Sequence, residues 1–442
     1  MGTASEQLPE RSFKGMSVMA LPIILANASI PLLGVADTAV VARLGQTEAL
    51  AAVAAGATIL FFLLWAFGFL RMTTSALTGQ AVGAKRVKEP ALILVRAMVL
   101  AIFLGLLLAA LGGLTTDAGL RLLGVEEDVA DLTRRYLMIA FWAAPGQLII
   151  FVVHGWLLGH GKSGLMFVLS LGIGCLNLGL NWLMTLQLGW GIEGLAIATV
   201  ISSSLGAFAG LVALTGMARN RGYRLDRQRL LDLRELRGLA GLNANVMVRT
   251  LLLIATFTAF NALSARLGTE ILAAHAVLLH FVEVTAYALD GIADVVESYA
   301  ARFWGAKKDR AAKESLGRGL VMALVGSLFM GVGLTIFGPF LIGLVAPIEE
   351  VAQLARSLGF YAYWIPLIGF SCYMLDGYFF GLAQGATIRN AMLLASMAYG
   401  LLLWFVYPQF GPEGLWVALW ALFVFRALPL GFVMLFKHPR AF

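Results

Sequence analysis

The chain has 442 residues, of which 60% are hydrophobic and only 13% charged, with a formal net charge of +7. Length alone would accommodate two or three soluble domains, but so large an apolar share excludes a water-soluble globular protein and makes lipid the solvent. The positive charge would suit a nucleic-acid binder, but its distribution along the chain argues for a membrane instead, and no nucleic-acid partner is expected.

Apolar runs of about 20 residues, the length that crosses the hydrocarbon core, begin near Ser17, Ala49, Leu92, Leu132, Leu165 and Leu195. They begin again near Leu239, Ile271, Leu316, Ala355, Ala391 and Leu415. Continuous apolar runs favour helices, and the alternation of a β-barrel strand is absent. The expectation is an all-α integral membrane protein with twelve transmembrane helices in two six-helix lobes. Met1–Lys14 is polar and the first apolar run is long enough to span, so no cleaved signal peptide is expected.

Charge inside a membrane is costly, about 2.5–3.5 kcal/mol per residue on insertion scales, so each polar residue within these runs needs a reason. Asp37 is the only acid in the first run, with Pro22 and Pro31 before it. Proline removes a backbone hydrogen bond, so this helix can bend. A titratable carboxylate on a bendable helix suits a proton-driven switch; a fixed ion pair, for example with Arg71, is the alternative. Asn177 and Asn181 lie four apart on one face of the fifth run, and Thr199 lies in the sixth. With Asp37 they could form one polar pocket, although on spacing alone ordinary interhelical hydrogen bonds are the better reading. The eighth run carries Glu283, Asp290, Asp294 and Glu297 within a narrow arc of one helix face. Such a stripe should face a cleft or a buried partner such as Arg249, which makes Asp290, Asp294 and Glu297 candidates for a substrate cleft. His154 and Asp376 stand at equivalent positions of the fourth and tenth runs and read as structural. His275 and His280 read as packing residues, and Cys175 and Cys372 as small buried hydrophobes.

Of the 32 Lys and Arg, 23 fall in segments on the side of the N-terminus, 6 on the other side, and Arg71, Arg249 and Arg426 within runs. Lys85, Arg86 and Lys88 belong to the larger group, as do seven arginines from Arg219 to Arg237 and a cluster from Lys307 to Lys313. This asymmetry predicts that both termini are cytoplasmic.

An internal repeat organises the chain. Ala42-Arg43-Leu44-Gly45 recurs as Ala265-Arg266-Leu267-Gly268, and Gly83-Ala84-Lys85-Arg86 as Gly305-Ala306-Lys307-Lys308. Gly155 and Gly159 after Tyr136 recur as Gly377 and Gly381 after Tyr361, and Gly191-Ile-Glu-Gly-Leu195 as Gly411-Pro-Glu-Gly-Leu415. Apart from the two tyrosines, the offsets stay between 220 and 223. An even number of runs per half makes the repeat parallel, with a pseudo-twofold axis along the membrane normal. The expected organisation is an N-terminal lobe over 1–218, a cytoplasmic linker over 219–238 and a C-terminal lobe over 239–442. No Walker A loop, nucleophile elbow, His-Glu-x-x-His motif or metal-ligand spacing is present. No catalytic residue, cofactor or resident metal is therefore expected.

Several segments resemble the multidrug and toxic compound extrusion family, specifically its DinF-like branch. They are Val35-Ala-Asp37-Thr-Ala-Val40, Leu70-Arg-Met-Thr-Thr74 with Leu77-Thr-Gly-Gln80-Ala-Val-Gly83-Ala84, Val248-Arg249-Thr250, and Leu289-Asp290-Gly291-Ile292-Ala293 with Glu297. The resemblance covers nearly the whole chain. It implies substrate–cation antiport. It also implies a cation-coupling site at Asp37, Asn177, Asn181 and Thr199, joined by Tyr136, with Pro22 as the hinge of the first helix. Some relatives have an acid where this chain has Asn181. Asp37 is then the one carboxylate of the site, which favours protons as coupling ion and leaves sodium open.

The function expected is a secondary-active efflux antiporter of the bacterial inner membrane, a monomer exporting amphipathic, often cationic compounds by alternating access. A lipid-linked precursor flippase is the alternative, but it should carry a cationic cavity for pyrophosphate, which the acidic eighth run opposes. An intramembrane enzyme would need a nucleophile–base pair or a metal cluster at membrane depth, and none is evident.

Overall fold

The computed structural model describes residues 8–436, with side chains other than those at 30–33, 35 and 123. The side chain of Pro31 and the basic residues Lys437 and Arg440 lie outside that set. Helix α1 (Phe13–Ala42) runs 30 residues without interruption. Ten further helices are long and apolar enough to cross a membrane. They are α2 (Thr47–Gly83), α3 (Glu89–Ala110), α4 (Glu127–Gly159), α5 (Ser163–Gln187), α6 (Gly191–Asn220), α7 (Leu233–Leu267), α8 (Thr269–Gly305), α9 (Asp309–Val345), α10 (Glu349–Gly381) and α11 (Gly385–Phe436). At 1.5 Å per residue, the 52 residues of α11 would make a rod of about 78 Å, far longer than one crossing. The rod is broken at Gly411, with φ 51° and ψ −120°, so α11 is two helices joined at a kink. Each of the twelve expected apolar runs thus falls on a helix or helix arm of its own.

Two compact units divide the chain. The first comprises Leu25–Arg237. The second comprises Gly238 onward together with Pro9–Ile24, a segment the sequence places with the first half. Within the second unit Gly291 of α8 lies against Ile24, where a Cβ would stand 2.5 Å from the Ile24 side chain. Gly15 faces the Tyr299 hydroxyl, and Arg11 reaches Glu314 at 3.8 Å.

The repeat seen in the sequence is repeated in the backbone. Among the described residues eight of the eleven with positive φ fall in four pairs: Gly45 and Gly268, Lys85 and Lys307, Gly161 and Ala383, Gly191 and Gly411. Lys85, Lys307 and Ala383 hold this conformation against the steric preference of L residues. Two close helix–helix seams pair off as well. In the first unit a Cβ on Gly155 would lie 2.3 Å from the Arg71 carbonyl, and one on Gly159 2.7 Å from the Ser75 carbonyl. In the second, Gly377 and Gly381 meet the carbonyls of Ala293 and Glu297 at 2.4 and 2.5 Å. Glycine is required at all four positions because backbone fills the space a side chain would occupy.

Candidate functional site

Within the first unit, three helices bring the expected polar residues together. Asp37 stands on α1 near its end, half-buried. Asn177 and Asn181 project from one face of α5, and directly after Asn181 the helix widens into a π turn over Trp182–Gln187. Asn181 is fully buried, and its amide nitrogen donates to Asp37 Oδ1 at 2.5 Å and to Asn177 Oδ1 at 3.0 Å. Asn177 in turn donates to Thr199 Oγ1 at 3.5 Å and Ser202 Oγ at 3.1 Å, both on α6. The Thr199 and Ser202 hydroxyls give their own protons to the backbone carbonyls of Leu195 and Thr199, so toward Asn177 they act as acceptors. Asn181 is thus the central donor of the cluster: its amide serves the Asp37 carboxylate on one side and Asn177 on the other, and the Asn177 amide donates onward to α6, away from the carboxylate. Asn181 Oδ1 is buried and accepts no hydrogen bond from the described residues. Among the described residues no three His, Cys, Asp or Glu side chains converge as metal ligands. A cation here would therefore be held by one carboxylate with amide and hydroxyl oxygens.

Tyr136 on α4 is buried beside this cluster, in an apolar core that includes Val41 of α1 and Leu195 of α6. Its ring presses on Gly56, where a Cβ would lie 2.6 Å away. Pro22 sits inside the continuous α1, two residues before the point where the helix passes from one unit to the other.

The acids of α8 separate by depth. Asp294 and Glu297 are buried at 5% and 1% exposure, within a stretch of α8 pressed against α10. Asp290 is half-buried. Glu283 is exposed and pairs with His280 at 3.4 Å, so the arc of four does not act as one buried stripe. Arg249, expected as a partner of that stripe, donates to Asp376 at 2.6 Å. Arg426 donates to the same carboxylate oxygen, so two buried guanidiniums share one buried carboxylate. Ser202 and this triad are the parts that sequence reading missed. Ser202 was signalled by its place three residues after Thr199, on the same face of α6. The triad was signalled only by three separate charges at membrane depth.

A family model described as MatE matches residues 22–183 and 246–406. The chain belongs to the MatE family. The two matched stretches fall one in each half, as the repeat requires of a duplicated MatE unit. The chain is 34% identical over 419 residues, 95% of its length and 91% of the relative's, to DNA damage-inducible protein F of Escherichia coli (strain K12). It is 32% identical over 198 residues to probable multidrug resistance protein YoeA of Bacillus subtilis (strain 168), covering 43% of this chain and 42% of that protein. Its fold matches a solved MOP superfamily transporter from Pyrococcus furiosus Vc1 with a TM-score of 0.86, at 17% identity, over 98% of this chain and 97% of that one. MatE proteins are multi-pass membrane transporters, many of them multidrug exporters, and not enzymes.

Proposed function

We propose that this MatE protein exports amphipathic, often cationic compounds across the bacterial inner membrane in exchange for protons entering at Asp37. The observation that supports this most is the hydrogen bond from buried Asn181 to Asp37, because it makes the charge of one carboxylate matter to the order of α1 and α5. Protonating Asp37 removes an anionic acceptor and adds one O–H donor. Asn181 Oδ1, buried and lacking a donor, is the acceptor on the neighbouring amide that such a proton would reach. The charged and neutral forms of Asp37 therefore favour different local geometries, which is the condition for a proton to bias a conformational equilibrium. Pro22 supplies the weak point in α1 at which that bias becomes a bend. Tyr136 closes the apolar side of the site against water. Asp290, half-buried among the α8 acids, is the residue assigned to attract the charge of a cationic substrate, with Asp294 and Glu297 behind it. Both termini face the cytoplasm in this reading, from the asymmetry of the basic residues.

Sodium is the second reading. Asn181 Oδ1 with the Asp37 carboxylate and the oxygens of Asn177 and Thr199 forms a hard-oxygen set of the kind alkali cations accept. Protein reconstituted in liposomes, driven by a proton gradient or a sodium gradient imposed separately, distinguishes the two. The expected result is efflux of a cationic dye driven by the proton gradient alone and reduced by at least about tenfold in Asp37→Asn. Asn181→Ala should lower it less, since the titrating group remains. Wild-type transport by Asp37→Asn would overturn the assignment of Asp37, and transport driven by sodium alone would overturn the choice of ion.

A further inference from the structure

The basic segment between α6 and α7 is not a loose tether. Arg229 donates to Glu89, the first residue of α3, at 2.8 Å, and Lys88 pairs with Asp226 at 3.1 Å. Arg96, two turns into α3, donates to Glu235 at 2.7 Å, to the Leu230 carbonyl at 3.2 Å and to the Arg229 carbonyl. Arg229 also pairs with Glu235, so the segment is bound to itself as well as to α3.

These partners fix its depth. Helix α3 has 22 residues, about 33 Å at 1.5 Å per residue, barely more than the hydrocarbon thickness of about 30 Å. Glu89 therefore stands at the membrane–water boundary, and Arg96 about 10 Å further along the helix axis. A segment bonded to both residues lies at the headgroup layer. There the described residues leave Leu231 82% and Leu233 70% exposed. Arg224, Arg227, Arg234 and Arg237 are exposed beside them. Over Arg219–Arg237, seven arginines meet only three acids.

We infer that the segment around Leu225–Arg237 is an interfacial anchor that inserts Leu231 and Leu233 among the upper acyl chains and binds the phosphates of anionic phospholipids through the four exposed arginines. A large exposed leucine at this depth is stable only if lipid covers it, and guanidinium groups fit phosphodiester oxygens bidentately. The acids that could neutralise the arginines internally are already spent: Asp226 on Lys88, Glu235 on Arg96 and Arg229, and Asp232 on the amides of Arg234 and Glu235 at the start of α7. The excess positive charge faces outward toward the headgroups.

Lipid nanodiscs of phosphatidylcholine with and without phosphatidylglycerol test this without reference to membrane sidedness or coupling ion, so its failure and that of the antiport reading are separable. Single cysteines replace Leu231, Leu233 and, as an aqueous control, the 94%-exposed Arg310 in a Cys175→Ser background, and each carries an environment-sensitive fluorophore. Labels at 231 and 233 should be quenched by lipids with a nitroxide high on the acyl chain and shielded from aqueous iodide about fivefold relative to the label at 310. The quadruple variant R224Q/R227Q/R234Q/R237Q, whose side chains are exposed and leave the α3 pairs in place, should co-purify with phosphatidylglycerol at a preference reduced by at least about tenfold. Iodide quenching at 231 and 233 equal to that at 310 would overturn the insertion. An unchanged phosphatidylglycerol preference in the quadruple variant, eluting as a single species like the wild type, would overturn the headgroup site.

Discussion

At Asp376 two buried arginines converge on one carboxylate oxygen, and the energetics of that arrangement are asymmetric. Removing the acid leaves two guanidiniums without their counter-ion, a loss of about 3–5 kcal/mol for a buried pair. Asp376→Asn should therefore lower the thermal unfolding midpoint of the purified protein far more than Asp37→Asn, which leaves no opposite charge stranded. The double variant Asp376→Asn/Arg426→Gln should recover part of that loss; an equal loss in single and double variants would mean that the two residues do not act as a pair. Of these residues the sequence made only the separate charges visible. Asp376 is 127 residues from Arg249 and 50 from Arg426, and nothing in local pattern says that three separate helices meet there. The Asp37 cluster was more legible because two of its members, Asn177 and Asn181, share one helix face by simple spacing. Even so, the direction of the hydrogen bonds, with Asn181 donating both to the carboxylate and to Asn177, required coordinates.

Between elements, the glycine seams decide what can be substituted. Gly155→Ala or Gly377→Ala would drive a methyl group into a neighbouring carbonyl at 2.3 or 2.4 Å, and the helices would have to separate. Each should cost about 1–3 kcal/mol of overpacking. Gly172→Ala on α5, with nothing within 4 Å of its Cβ, should be nearly silent in the same thermal unfolding assay. The two seam variants should fall by similar amounts because the seams are repeats of one another; a large disparity would show that one half tolerates separation. At the linker, Lys88 holds the Asp226 carboxyl below its ordinary value of 3.8. A depressed carboxylate stabilises the docked linker at pH values above the ordinary one and loses that effect as pH falls through the lowered one. The linker should therefore loosen only in strong acid, or in high salt, which screens so exposed a pair. That the segment was basic could be read from composition, whereas its docking on α3 could not, since it depends on Glu89 and Arg96 lying far away in sequence.

For the molecule as a whole, the sidedness of the basic residues gives a direct test. Cysteines introduced singly at Arg227 and Glu127 should react with an impermeant reagent from opposite faces of sealed cells, and labelling of both from outside would invert the topology. The twelve apolar runs and their duplication were legible because lipid demands long uninterrupted hydrophobicity and because the repeat keeps its turn residues. The partition of α1 was not legible, since hydropathy reports that a segment spans but not which neighbours it packs against. That partition has a consequence for how the protein is made. The Pro9–Ile24 segment leaves the ribosome well before its neighbours in the second unit, for Met19 accepts from Arg302, 283 residues later. At about 5–20 residues per second, translation needs roughly 15–60 s to supply that partner. That segment must therefore wait, inserted but undocked, while Leu25–Arg237 is synthesised. Nascent chains arrested before Tyr299 should leave a protease site engineered at Gly15 open to cleavage, and chains released at full length should protect it.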